Sequence, residues 1–467
     1  MADICIVYAR EDHAVAEKLH ELLSQQWETW WDEDITARFS EEIEIEIPRA
    51  GCIVVLFSES SRDKDTILDE LRLGQRHGIK ILPAKLDDSV SPYSFGSYTC
   101  TDLRSWNGEC EHRGFRLLLQ RIIKVVPPKS APKRLPAIAE GKVLLPSLFL
   151  SVSSHETQLV PAEAVRALRV FGAKTILISA YDLVARSEPQ AIVDELQEYR
   201  KNGGFVVIDS GNYEAFRLDN RIWNPNDLKE ALAQTPHDWV FCFDVMDLSQ
   251  DRDFAVDSIV KSVERDRTFT KAPVLPIVHA PKCEQGGYEL KNLPWIIREV
   301  AERLEPQLIA IPERELGHGL IARAETVRDI RVELSKLSFY QPLHILGTGN
   351  PWSIAVLAAA GADSFDGLEW CRMVVDCKTD RLHHFQHFDL FTYQTEQAES
   401  SITREALNDP AIGFAGKVAF HNLDYFNRFA KSMREAVVEG SMNAFISQIT
   451  DKDTVAQLKK QVPGLLK

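Results

Sequence analysis

The chain has 467 residues, 45% of them hydrophobic, enough for two or three domains each with its own core. A formal net charge of −15 disfavours a broad nucleic-acid-binding surface, which relies on clustered Lys and Arg to displace counterions, but leaves room for a local basic groove. The sequence holds no apolar run of membrane-spanning length and no charged-then-apolar leader, and its eight cysteines lack framework spacing, so a cytoplasmic protein with reduced thiols and no membrane partner is expected.

From the N-terminus, DICIVYAREDHAVAEKLHELL reads as a strand and then an amphipathic helix, with Val15, Leu19, Leu22 and Leu23 at helical spacing. ETWWDEDI predicts a second short strand ending in acids, and FSEEIEIEIPRAG a second helix. CIVVLF and IKILPAKL are β-rich apolar runs of the kind buried in a parallel sheet, and the charged stretch between them supplies the helical crossover. Glu70 is expected to open that crossover. Ligands of open α/β sheets bind outside the carboxyl ends of the strands, so a carboxylate in the first turn of such a helix faces the ligand crevice. Beside Asp69 and Arg72 the alternative for Glu70 is an ordinary solvated helix residue.

The series IVYARED, WWDEDI, SEEIEIEIPRAGCIVVLFS and ILDELRLGQRHGIKILP resembles a TIR domain, over about the first quarter of the chain. The resemblance implies a flavodoxin-like fold, NAD as substrate, and Glu70 as the essential acid for cleaving the nicotinamide–ribose bond. It carries NAD-binding roles to Tyr8, Arg10, Trp30 and Asp32, and places the family's BB loop, which serves self-association and gating, at Ile35 to Ser40. Core packing is the alternative for Tyr8 and Trp30. Two features depart from the family pattern: Thr66 stands where members commonly carry Trp, and ITARFS replaces the usual Gly-Asp of the loop. The chemistry itself is simple. Breaking an N-glycosidic bond to cationic nicotinamide leaves an oxocarbenium-like ribose, which a nearby carboxylate stabilises while orienting the attacking water.

A boundary is expected where VVPPKSAPKRLPAIAEGKVLLP holds five prolines and little periodicity, a semi-rigid spacer. The predicted division is residues 1–126 for the TIR domain, 127–142 for the linker, 143–445 for a barrel and 446–467 for a helical tail. In the third segment KTILISA, GFVVIDS, WVFCFDV, VLPIVHA, QLIAIPE, LHILGTG and DSFDGLE are candidate strands alternating with helices, which suits a (β/α)8 barrel. Asp209, Asp244 and Asp366 fall at strand carboxyl ends, the active face of such barrels. Each could read base N–H donors or attack an anomeric carbon, or could simply cap the next helix.

Across most of residues 143–440 the motifs resemble the tRNA-guanine transglycosylase family. FVVIDSGNYEAF implies a base-contacting Asp209 and a base-stacking Tyr213, and VFCFDVMD a second guanine-reading acid, Asp244. LHILGTGNPWSIAVLAAAGADSFDGLEWCR implies Asp366 as nucleophile with Arg372 nearby, and GKVAFHNLDYFNRFAKSMREAVVEG follows the family's final HN-containing helix. Three features depart from the pattern. IVHAPK puts His279 where an amide would read the base, Pro312 and Glu313 replace a glycine pair, and the CxCxxC zinc cluster is absent. His421 falls on the fourth zinc ligand, and Cys371 and Cys377, with His383, His384 and His387 close in sequence, could compose a different N/S site for zinc.

Together the resemblances imply a two-module immune effector. They imply NAD as the TIR substrate, a nucleobase, nucleoside or nucleic-acid end as the barrel's ligand, and self-association through the TIR domain. A base-exchange enzyme with the TIR domain as scaffold, and a non-catalytic TIR adaptor, are the alternatives.

Overall fold

Successive residues of a strand point to opposite faces, and the first strand, β1 (Ile4–Val7), is apolar on both, as a strand inside a covered parallel sheet must be. The computed structural model describes residues 2–31, 39–62, 64–89, 95, 98–109, 112–126, 132–155, 157–185, 189–391, 394–462 and 464–466. The chain divides into two compact units, Met1–Lys133 with Ser335–Tyr340 and Arg134–Leu334 with Gln341–Lys467.

In the first unit β1, β2 (Thr29–Trp30), β3 (Cys52–Phe57), β4 (Lys80–Lys85) and β5 (Thr101–Asp102) form a parallel sheet in the order β2-β1-β3-β4-β5. Four helices cover it: α1 (His13–Leu23), α2 (Phe39–Glu46), α3 (Asp65–Arg76) and α4 (Arg113–Val125). Ile4 and Ile6 pack with Leu19 and Leu23 of α1 and Leu118 and Ile122 of α4. Cys5 and Val7 pack on the other face with Ile43 of α2 and Ile67 and Leu71 of α3. The result is the expected flavodoxin-like sandwich. Helix α3 lies so close to the sheet at Gly74 that a Cβ there would stand 2.3 Å from Ile53 Cδ1. One expectation is corrected. Helix α3 starts at Asp65, so Glu70 sits in its second turn and does not open it. The second strand is short, as expected, and Asp32 and residues 35–38 of the anticipated loop lie outside the described residues.

The second unit opens on a hairpin, β6 (Ala137–Ile138) and β7 (Val143–Leu144). Eight parallel strands follow: β8 (Ser147–Val152), β9 (Thr175–Ser179), β10 (Phe205–Asp209), β11 (Trp239–Phe241), β12 (Val274–Leu275), β13 (Ile309–Pro312), β14 (Leu343–Leu346) and β15 (Ser364–Gly367). Strand β15 pairs back onto β8. The remaining gap between β12 and β13 is bridged by Val278 N–H to the Ala310 carbonyl (2.8 Å) and Ala310 N–H to the Pro276 carbonyl (3.0 Å). This nearly closed parallel sheet is the expected α/β barrel. All seven candidate strands form, and the eighth, SLFLSV, stands first, hidden behind the proline-rich stretch. Alternate residues such as Phe149, Leu177, Val207, Phe241 and Leu275 fill the interior.

Ile138, Val143 and Leu145 are buried in that same core, so residues 134–142 belong to the barrel and not to a linker, a correction that follows from their apolar side chains. Arg134 anchors the segment, donating to Asp363 Oδ1 at 2.8 Å, while Arg331 donates to Asp363 Oδ2 at 2.7 Å. The expected tail boundary at 445/446 falls inside a helix, Met442–Ile449, whose Phe445, Ile446 and Ile449 are buried. Among the described residues no helix is long and apolar enough to cross a membrane.

Candidate functional sites

In the first unit a cleft with about 1020 Å³ of empty space, open to solvent, lies at the carboxyl end of β1 and over the start of α3. Its walls are Ile6 to Arg10, Trp30, Ile43, Lys64, Thr66, Ile67 and Glu70. Glu70 is half-buried and lines this cleft from the second turn of α3. Thr66, one turn earlier on the same helix face, leaves the approach to Glu70 open because its side chain is small and exposed. Arg10 is exposed at the rim, and Lys64 pairs with Glu11. Trp30 is half-buried and rests against the core between the sheet and α2/α3. Tyr8 is 9% exposed and stacks on Trp31 (centroids 6.0 Å apart), which in turn stacks on His20 (4.8 Å). Tyr8 is thus a core aromatic that also forms part of the wall. The structure brings Tyr8, Arg10, Trp30 and Glu70 together, and Asp32 lies outside the described residues.

Residues 4–119 match the family model described as TIR domain. They form a TIR domain. The TIR match covers the first unit's sheet and most of α4, and the barrel lies outside it. A search of curated proteins finds no match to the chain.

The barrel carries a second cavity, about 1420 Å³ of empty space counting its open mouth, at the carboxyl ends of its strands. Asp209, Tyr213, Asp244, His279, Asp366 and Arg372 all line it, although they come from residues far apart in the chain. Asp366, at the end of β15, accepts from Ser151 Oγ (2.8 Å) and Gly347 N–H (2.7 Å), and His344 Nε2 lies 3.2 Å away. Arg372 donates to Glu369 Oε1 at 2.7 Å. Tyr213 is 44% exposed, with the Arg314 guanidinium 4.4 Å over its ring, a cation–π contact.

Asp244 and His279 belong to a buried chain of charge. His279 Nε2 stands 2.7 Å from Asp244 Oδ2, and Nδ1 stands 3.0 and 3.1 Å from the two oxygens of Glu315. Burial opposes charge on the imidazole, but the hydrogen bonds and charges of Asp244 and Glu315 outweigh it and hold the pKa up at about 9. Burial likewise opposes charge on Asp244, and the His279 hydrogen bond and charge overcome it, holding the carboxyl below its ordinary value. Asp244 Oδ1 also accepts from Ser210 Oγ at 2.9 Å. Both ring nitrogens of His279 are therefore engaged within the protein. His279, which the resemblance puts where an amide reads the base, lines the cavity and holds Asp244 in place.

Asp209 differs. Burial, then the charges of Glu214, Asp244 and Asp366, push its carboxyl well above the ordinary value. Glu214, on the short helix Asn212–Arg217, also lines the cavity, and burial first, then Asp182, push it up to about 7. Its Oε2 is buried without a hydrogen-bond partner. Glu214, Glu315 and His344 were missed in the sequence. Glu214 was legible as the acid directly after Tyr213 in the quoted motif, whereas only packing joins His344 and Glu315 to the site.

Among the described residues no three His, Cys, Asp or Glu side chains are placed to hold a metal ion. Cys377 Sγ is 3.7 Å from His421 Nε2, which also lies 2.8 Å from the Val375 carbonyl, and Cys371 Sγ donates to the Leu368 carbonyl. Cys377 and His421 thus meet each other while Cys371 is engaged elsewhere, and His387 makes ring contacts with His383 and His384, whose Nδ1 accepts from the Gln386 N–H at 3.4 Å.

Proposed function

We propose that the protein is an NAD-cleaving effector whose TIR domain breaks the nicotinamide–ribose bond and whose barrel binds a guanine-like base, nucleoside or nucleic-acid end that controls turnover. A TIR domain supports NAD cleavage or adaptor signalling. The observation that favours cleavage is that Glu70 lines an open cleft at the carboxyl end of β1, of the size of small-molecule and cofactor sites. A carboxylate there stabilises the developing ribosyl cation and orients water, Trp30 offers a flat apolar wall, and Arg10 and Lys64 offer cations to the pyrophosphate. For the barrel, support comes from Asp209 and Tyr213 on one cavity wall, a hydrogen-bonding carboxyl beside an exposed ring on which a base can stack. Self-association through the TIR domain, and a setting in antiviral defence, complete the proposal.

The test is product analysis of NAD incubated with purified protein, alone and with guanosine or extract of phage-infected cells. Nicotinamide release by the wild type and not by Glu70→Ala is the expected result. Equal turnover by both proteins would remove the enzymatic role of Glu70. A second reading makes the barrel the enzyme, because Asp366 and Asp209 share one cavity as a nucleophile and a base reader would. Base incorporation into tRNA or DNA lost in Asp366→Ala and kept in Glu70→Ala would favour it.

A further inference from the structure

The barrel's acids divide into those whose bonding capacity is spent inside the protein and those with capacity left. Asp244 gives one oxygen to His279 and the other to Ser210, and both oxygens of Asp366 have protein partners. Among the described residues the hydrogen bond that Asp209 accepts is from the Gly211 N–H, on Oδ2, at 3.2 Å. Glu214 accepts from Ser179 and leaves Oε2 with no partner. Arg217, one turn on, likewise leaves Nε buried and unpartnered. Buried polar atoms are nearly always satisfied, so orphans on a cavity wall mark where a ligand supplies the missing partner.

We propose that Glu214 reads the ligand of the barrel: its unpartnered carboxyl oxygen, with Asp209 beside it, meets the amide edge of a planar heterocycle, a ring N–H next to a ring carbonyl, that rests on the exposed face of Tyr213. The inference rests on the base-binding reading above and narrows it to lactam bases and their nucleosides.

The geometry sets the chemistry. An un-ionised carboxyl carries an O–H donor and a C=O acceptor on adjacent oxygens, which complements an adjacent N–H and C=O with two parallel hydrogen bonds. The groups facing Glu214 are Asp182 from the helix Ala180–Val184, Asp209 from the end of β10 and Arg217 from its own helix. Burial and then Asp182 favour the proton on Glu214, its backbone hydrogen bond, Ser179 and Arg217 oppose it, and the charge of Glu214 in turn raises Asp209. On balance the proton stays on Glu214 until about pH 7. Binding through the acid form therefore strengthens as pH falls through 7.

The experiment is calorimetric titration of the full chain with guanosine, and with O6-methylguanosine, which lacks the ring N–H. Wild type, Glu214→Gln and Glu214→Leu are compared between pH 6 and pH 8. Guanosine is expected to bind the wild type, more tightly at pH 6, and O6-methylguanosine about tenfold more weakly. Glu214→Leu is expected to lose about tenfold in guanosine affinity, and Glu214→Gln, whose amide keeps a donor and an acceptor, to retain binding with a flat pH profile. Guanosine binding that is unchanged in both variants would overturn the role of Glu214 and leave base binding intact. Absence of guanosine and O6-methylguanosine binding by the wild type would overturn the base-binding reading together with this one. A Glu214→Leu protein that fails to fold leaves the Glu214→Gln pH profile as the deciding measurement: a profile as steep as wild type sinks the proposal.

Discussion

The TIR cleft and the barrel cavity both lie at the carboxyl ends of parallel strands, yet they hold their acids in opposite ways. Glu70 stands half-buried on the wall of an open cleft, and the ion pair of Arg72 with Asp69 on the same helix is exposed at both ends. The barrel buries Asp244 and Glu315 (3% exposed) on either side of His279 (4% exposed). Charge in the open cleft is screened by water and inexpensive to change, whereas charge in the cavity is strongly coupled and every partner matters. The comparison teaches that a change of one acid should register as activity in the first unit and as stability, protonation and affinity in the second.

The sharpest test of that contrast is Glu315→Ala, which leaves buried His279 with one acid partner in place of two. Denaturant unfolding of the barrel is expected to show a loss of about 3–5 kcal/mol, and a loss near zero would dissolve the distinction. Glu70→Gln should lower NAD turnover by about 10²- to 10³-fold. The same variant should leave unfolding unchanged within about 0.5 kcal/mol.

The next test is pH. His279 is raised in the folded state from an ordinary 6.5 to about 9. Its contribution is therefore complete below pH 6.5 and is lost as pH rises through 9, on the order of 3 kcal/mol. Unfolding measured from pH 6 to pH 10 checks this, and the loss should vanish in His279→Gln. A smaller effect is expected for Tyr213→Ala, which removes an exposed stacking face and should cost about 1–3 kcal/mol of guanosine binding while leaving the unfolding midpoint in place. Arg72→Ala should be the quietest, within about 0.5 kcal/mol in unfolding, because its pair with Asp69 is exposed.

Much of both folds could be read from local pattern. Apolar runs such as CIVVLF and FVVID show strands, and the one-turn spacing of Leu19 and Leu23 shows a buried helix face, because burial on one or both faces is written directly in side-chain period. The reading failed where local signals conflicted. SLFLSV was hidden by the prolines before it, and Ala137 to Leu145 looked like a spacer because a short hairpin has too few residues for periodicity. Glu70 was displaced by a turn because helix starts depend on caps, and α3 has no side-chain cap on Lys64.

Residue type and strand position alone determined that Glu70, Asp209, Asp244 and Asp366 would stand near strand ends, since strands end where apolar runs end. Tertiary structure alone decided what each acid can do. Whether an acid is free, paired or protonated depends on neighbours such as Glu315, His344 and Asp182, brought from distant segments into a medium too poor in water to mask them. Sequence order carries no record of those distances, and electrostatic energy in a buried cavity is set by distance.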